Sequence, residues 1–386
     1  MTSQINNNKL FLASRIALVA TAMTFAIRAN LIGTLGNEFL IPLKEMGIVS
    51  GTAFWGFTLS MIIGGYLCDV FGMKRLIIFA FAGHIIGIIL TILANGFWTL
   101  FISTLLIGIA NGMVEAACNP LVASLYPHQK TKKLNQFHVW FPGGIVIGGL
   151  VAFGLEKMGI HWQWQIASIL LPTFVYGFLF YKQNFPVTER VSSGVSSADM
   201  IKECKRPLFI FMVVCMLFTS ATELGTNQWI TQILSNVGVS SILLLVFING
   251  LMAIGRSYAG DIEHRISSSG MLLFSAFFST LGLLLLSQST GYWSFAAAAV
   301  FAIGICFFWP TMLGFVSEHL PKTGALGLSV MGGAGMLSVS IILPFIGSLY
   351  EAQSKLSGGA NTLKYVAILP AILTIAFAFL YKFSKK

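Results

Sequence analysis

Glu115 is followed one helical turn later by Asn119 and then by Pro120, all inside the otherwise uncharged run 98–125. Residues four apart share a helix face, so the carboxylate and the amide lie together. The proline removes one backbone hydrogen bond and can bend the helix there. A carboxylate in so apolar a run is expensive, so it titrates, pairs with a cation or faces a water-filled path. Two other charges stand in comparable places: Arg28 in AIRANLIGTLGNEF, and Glu223 in Thr222-Glu223-Leu-Gly225-Thr-Asn227-Gln228-Trp229. Glu115, Arg28 and Glu223 are therefore expected to carry a proton or its counter-charge. A second reading has Arg28 and Glu115 neutralise each other as a buried pair. The two are compatible, because a partner that comes and goes moves a carboxylate's proton affinity.

Around these charges are groups that could hold a small polar ligand: Asn119, Gln136, His138, Trp140, Asn227, Gln228, Trp229, Asn249 and Trp309. Amides and carboxylates hydrogen-bond hydroxyl groups, and an aromatic face covers the C–H side of a sugar ring. Each could equally serve packing. His84, alone in an apolar run, is expected to be a hydrogen-bonded packing residue before a proton relay. A third pattern, Gly65-Tyr-Leu67-Cys-Asp69-Val-Phe-Gly72-Met-Lys74-Arg75, closes the second apolar run. Its glycines permit close helix contact and a tight turn, Asp69 can cap or pair, and Lys74 and Arg75 anchor a membrane edge.

The elements that must position these residues follow from composition. The 386 residues are 56% hydrophobic and 9% charged, against about 25% charged in a soluble domain. That excludes disorder, a nucleic-acid module and an ordinary cytosolic enzyme. Apolar runs fall at 11–34, 47–68, 76–95, 98–125, 136–155, 163–182, 207–230, 241–260, 269–288, 292–317, 325–349 and 365–383. Each is long enough to cross a bilayer as a helix of about 20 residues. The expected fold is all-α and integral to the membrane, with twelve transmembrane helices in two six-helix bundles. The N-terminal bundle is 1–182, a cytoplasmic linker is 183–206 and the C-terminal bundle is 207–386.

With the N-terminus inside, the inner segments hold 18 of the 23 Lys and Arg residues, Arg256 among them. The outer loops hold Lys44, Lys157, Lys355 and Lys364. This bias places both termini in the cytoplasm and explains the net charge of +10 without an anionic partner. The halves echo one another weakly. GGYLCDVFGMKR (64–75) recurs as AGDIEHR (259–265), and the same 195-residue offset takes Arg28 to Glu223. The five cysteines, Cys68, Cys118, Cys204, Cys215 and Cys306, form no CxxC or Cys/His pair, so neither a disulfide framework nor a metal site is implied. The GxxxxGK[ST] nucleotide motif is absent, and no cofactor is expected.

The glycine-rich pattern at 65–75 matches G-x-L-x-D-x-x-G-x-[RK]-[RK], and with twelve spans the chain is similar to the major facilitator superfamily. Glu115 to Val122 resembles the E-x-A-x-N-P-x-V segment of its fucose permease family, the sugar–proton symporters. LNQFHVWFPGG (134–144) is similar to the opening of span five in those carriers. The resemblance implies two bundles rocking about a midplane site lined by spans one, four and seven. It also implies a gating role for Gly65, Asp69, Gly72, Lys74 and Arg75, and proton coupling at Glu115. The family's span-one aspartate has no counterpart here, where Arg28 stands instead. The leading expectation is proton-coupled uptake of a sugar, protons or sodium being the coupling ion. The protein would be a monomer in a bacterial inner membrane and not an enzyme. The alternatives are an organic-anion carrier using Arg28 and a drug-type efflux carrier.

Overall fold

The computed structural model describes residues 5–126, 133, 136–186, 197–258, 266–356 and 359–384. Among them there are no strands. Eleven helices are long and apolar enough to cross a membrane. They are α1 (Asn7–Glu38), α2 (Leu43–Phe71), α3 (Met73–Ile92), α4 (Phe97–Leu125), α5 (Trp140–Lys157), α6 (Trp162–Phe180) and α7 (Pro207–Ile233). After α8 come α9 (Ser268–Leu286), α10 (Trp293–Val316), α11 (Gly324–Leu356) and α12 (Gly359–Phe383). α8 (Ser241–Ser257) is apolar but shorter, at 17 residues. Twelve expected runs and twelve helices agree in order. A short helix, Ser197–Cys204, lies in the polar stretch before α7. Large apolar side chains stay exposed along the helices, among them Phe79, Leu171, Phe178 and Ile375, as a lipid-facing surface requires. Trp98, Tyr292 and Trp293, at helix starts, are also exposed, where amphipathic rings suit the headgroup level.

By their contacts the residues fall into two compact units, one holding 1–28 and 52–195, the other 29–51 and 196–386. The first unit is centred on α1 and α4. Ala13, Ala17 and Ala20 of α1 are buried with Val114, Ala117, Cys118 and Leu121 of α4, small residues that let helix backbones approach where lipid supplies no hydrophobic drive. Pro120 lies inside α4 and leaves the Ala116 carbonyl without its partner one turn on. The Cys68 thiol of α2 donates to that carbonyl at 3.3 Å.

The turn from α2 to α3 depends on Gly72, whose φ of +81° and ψ of +151° belong to a region essentially reserved for glycine. Arg75 N–H donates to the Gly72 carbonyl at 3.2 Å, and the Lys74 ammonium reaches the Gln183 carbonyl at 3.0 Å. Gly72→Ala is expected to destabilise the protein by about 1–3 kcal/mol, read as a lower thermal midpoint in detergent. Gly154→Ala is the control: it meets open space within α5, where the methyl restricts the unfolded chain and leaves the midpoint unchanged or slightly higher.

In the second unit the start of α2 lies on α11 with almost no side chain between them. A Cβ on Gly47 would stand 2.7 Å from the Leu343 carbonyl oxygen, and one on Gly51 2.8 Å from that of Ser340. From the other side, a Cβ on Gly347 would stand 2.7 Å from the Leu43 oxygen. Pro344, inside α11, cannot donate to Ser340, so the carbonyl facing Gly51 is one the helix leaves open. At the end of this seam, Lys44 N–H donates to Glu351 Oε1 at 3.0 Å. The Thr231 hydroxyl of α7 donates to the Ala29 carbonyl of α1.

Leu134, Asn135, the polar stretch 187–196 and the AGDIEHR echo at 259–265 lie outside the described residues, as do the side chains at Gly65 and Asp69.

Candidate functional site

In the first unit Glu115 is buried on α4 and accepts a 2.8 Å hydrogen bond from the Asn119 amide nitrogen. The Asn119 oxygen in turn takes a 3.0 Å bond from His138 Nε2. An amide oxygen can only accept, so that bond assigns the proton to His138 Nε2. Glu115, Asn119 and His138 thus form one line of polar groups from α4 toward the start of α5. Gln136 is half-buried two residues before His138, and Trp140 is exposed at the first position of α5.

One turn from Glu115, a second polar line runs through the unit. The Asn111 amide nitrogen donates to the Thr24 hydroxyl at 2.9 Å, and that hydroxyl donates to the Thr21 carbonyl at 2.6 Å. His84 Nε2 meets the Asn111 oxygen at 2.8 Å, and His84 Nδ1 meets the Tyr176 hydroxyl at 2.8 Å. Since the Asn111 oxygen accepts, Nε2 holds the hydrogen and Nδ1 accepts from Tyr176. A neutral His84 therefore satisfies every group in a line joining α1, α4, α3 and α6. This is the packing role expected for His84. Asn111, Thr24 and Tyr176 were not singled out from sequence.

The two bonds Thr24–Asn111 and Asn7–Leu125 show that α1 and α4 run antiparallel. Arg28 lies four residues beyond Thr24 in one direction and Glu115 four residues beyond Asn111 in the other. At 1.5 Å per residue this sets them about 12 Å apart along the helix axes. The packing therefore does not support the buried Arg28–Glu115 pair. The Arg28 guanidinium instead lies 4.9 Å from the Phe25 ring centre and 5.4 Å from that of Phe54, within cation–π range.

In the second unit α7 widens into a π turn at Ala221–Gly225, a distortion that often marks functional positions. Glu223 is buried in it and pairs with Arg256 Nη2 of α8 at 2.8 Å. Arg256 was expected among the cytoplasmic charges. Its side chain is only 12% exposed, because it turns into the unit to meet Glu223. Among the described residues, Arg256 therefore joins Arg28, Glu115 and Glu223 as a charge turned inward from the membrane-spanning helices.

One turn beyond Glu223, the Asn227 oxygen accepts a 3.2 Å bond from the Asn249 amide of α8, which also donates to the Leu245 carbonyl at 2.9 Å. Both asparagines are buried, yet among the described residues Asn227 Nδ2 and Asn249 Oδ1 meet no hydrogen-bond partner, nor do the hydroxyls of Ser220 and Thr226. Reversing both amides restores their mutual bond but forfeits the one to Leu245, so unmet valences remain either way. Gln228 is buried beside them. Trp229 is fully buried, donating from Nε1 to the Leu343 carbonyl at 3.1 Å and stacking on Tyr350 at 6.4 Å. Trp309 is half-buried on α10, close enough to Gly335 that a Cβ there would stand 3.0 Å from its ring.

Twelve apolar helices, eleven of them long enough to cross a bilayer, with polar clusters buried among them, define an integral membrane protein. The chain belongs to the major facilitator superfamily, whose profile, "Major Facilitator Superfamily", matches residues 16–343. It is similar to the "Protein TsgA homolog" of Buchnera aphidicola subsp. Schizaphis graminum, 21% identical over 59% of this chain and 58% of that protein. It is also similar to the "Multidrug resistance protein MdtG" of Proteus mirabilis, 26% identical over 60% of each chain. The matches to these two relatives span about three fifths of their length. Among solved structures, the xylose transporter XylE from E. coli superposes with a TM-score of 0.81 at 13% identity, covering 98% of this chain and 97% of that one. The nucleoside transporter NupG superposes at 0.76 and 12% identity, covering 98% and 100%. At such identities these structures establish the fold.

Proposed function

We propose that the protein takes up a sugar or sugar derivative together with a proton by alternating access in a bacterial inner membrane, with both termini in the cytoplasm. The observation that carries this reading is the Asn227–Asn249 pair, buried with one amide donor and one carbonyl acceptor unmet among the described residues. A buried polar group without a partner costs about 1–3 kcal/mol, and a vicinal diol supplies both a donor and an acceptor to such a pair. Asn119, Gln136, His138, Trp140, Gln228 and Trp309 complete the proposed contacts, and Trp229, covered by Tyr350, backs them. Glu115 carries the proton, with Arg28, Glu223 and the turn at Gly65–Arg75 serving charge balance and gating. The names of the structural neighbours, a xylose and a nucleoside transporter, agree with a polyhydroxylated substrate.

The test is uptake by proteoliposomes of a labelled panel of aldoses, polyols, nucleosides, organic anions and a cationic dye, with and without a pH gradient. Sugar accumulation that follows the pH gradient is the expected result; accumulation that follows a sodium gradient instead would replace the proton. Arg28→Gln provides the discriminating arm. For a neutral sugar, its loss leaves binding within about threefold, since Arg28 rests on aromatic rings. For an anion it removes the counter-charge and costs about 2–5 kcal/mol. Selective loss of an anionic substrate would overturn the sugar reading. Outward movement of the dye alone would favour the efflux activity that the MdtG name describes.

A further inference from the structure

Arg256 makes a second bond besides its pair with Glu223. Its Nε donates at 3.0 Å to the carbonyl of Cys306, four residues before Pro310. A proline cannot donate to the carbonyl four residues back, and the helix of α10 is interrupted there, between Ile305 and Phe308. Arg256 fills that acceptor. The same contact is tight: the Cys306 thiol donates to the Met252 carbonyl at 3.5 Å, and a Cβ on Gly255 would stand 2.6 Å from that sulfur.

One side chain thus ties together the π turn of α7, the end of α8 and the break in α10. The polar groups proposed to meet substrate ride on these same pieces. Asn227 follows Glu223 by one turn, Asn249 precedes Arg256 by about two turns, and Trp309 follows Cys306 by three residues. The Glu223–Arg256 and Asn227–Asn249 contacts are successive rungs on one antiparallel α7–α8 seam.

We propose that Arg256 is a positioning residue for the substrate site, its fork between Glu223 and the Cys306 carbonyl holding the Asn227–Asn249 rung and Trp309 in register. The proposal rests on reading those residues as substrate contacts. Arginine suits the task because its planar guanidinium presents several donors in fixed directions, whereas a lysine ammonium is a point charge on a flexible stem.

The test is hydrogen–deuterium exchange of the ligand-free protein in detergent, with equilibrium binding of tritiated D-xylose as the functional probe. Arg256→Gln should speed exchange at least tenfold in both 221–229 and 305–311, leaving 73–92 unchanged. Arg256→Lys should restore protection at 221–229, where it still faces Glu223, but not at 305–311. D-xylose should bind at least tenfold more weakly to the glutamine variant and be partly rescued by the lysine. Unchanged exchange in both segments would overturn the proposal, as would a uniform rise across the chain, which marks a general structural role. The exchange arm decides the proposal by itself, so failure of the unaltered protein to bind D-xylose counts against the sugar reading alone.

Discussion

Glu115→Gln is expected to leave a folded carrier that exchanges preloaded substrate but cannot concentrate it. The glutamine oxygen still accepts from the Asn119 amide, as the Glu115 carboxylate does at 2.8 Å, so the local packing survives. What is lost is the ability to take up and release a proton. One pH unit is worth about 1.4 kcal/mol, a factor of ten in concentration. A carrier moving one proton per substrate thus supports about 100-fold accumulation across two pH units, and the variant falls to parity. Proteoliposome uptake and counterflow, measured side by side, read both quantities. Accumulation that persists in the variant would remove Glu115 from the coupling role.

The second large effect is expected at His84. His84→Ala strips partners from both the Tyr176 hydroxyl and the Asn111 oxygen, which His84 meets at 2.8 Å each. Two buried polar groups left unmet at about 1–3 kcal/mol each give about 2–6 kcal/mol, to which the cavity adds. Tyr176→Phe abandons only His84 Nδ1 and should lose about 1–3 kcal/mol. Thermal unfolding in detergent orders the two variants. His84→Gln separates packing from proton relay, since an amide can still bond its neighbours but cannot be protonated. Uptake driven by pH is expected to survive in that variant, and its loss would make His84 part of the relay.

The helices were legible because a bilayer imposes its thickness on the sequence: runs of about 20 apolar residues have few other uses. Their ends were less so. α1 continues to Glu38 and α2 begins at Leu43, because a helix does not stop where its residues become polar. The Glu115–Asn119 contact was readable from spacing, being one turn within one helix. The pairings that cross helices were not. His84 and Tyr176 are 92 residues apart, and Glu223 and Arg256 are 33 apart. Arg256 was counted with the charges of the cytoplasmic edge, where an arginine at the end of an apolar run usually lies, and its turn inward to Glu223 was not readable from that position. The signal available was Pro310, which leaves a carbonyl in need of a donor.

The contact between α2 and α11 behaves as a smooth-faced joint. Gly47 and Gly51 meet the carbonyls of Leu343 and Ser340, and Gly347 meets that of Leu43, so at these positions backbone lies on backbone. Parting two such faces withdraws no side chain from a socket at the glycines, only the Glu351 carboxylate from Lys44 N–H at the end, and water can satisfy the carbonyl that Pro344 leaves open. Each atom pair across the joint contributes only about 0.1–0.2 kcal/mol of attraction, so it releases gradually and re-forms without searching for a fit. A single added methyl turns it into a wedge, which makes the joint easy to undo and intolerant of being filled.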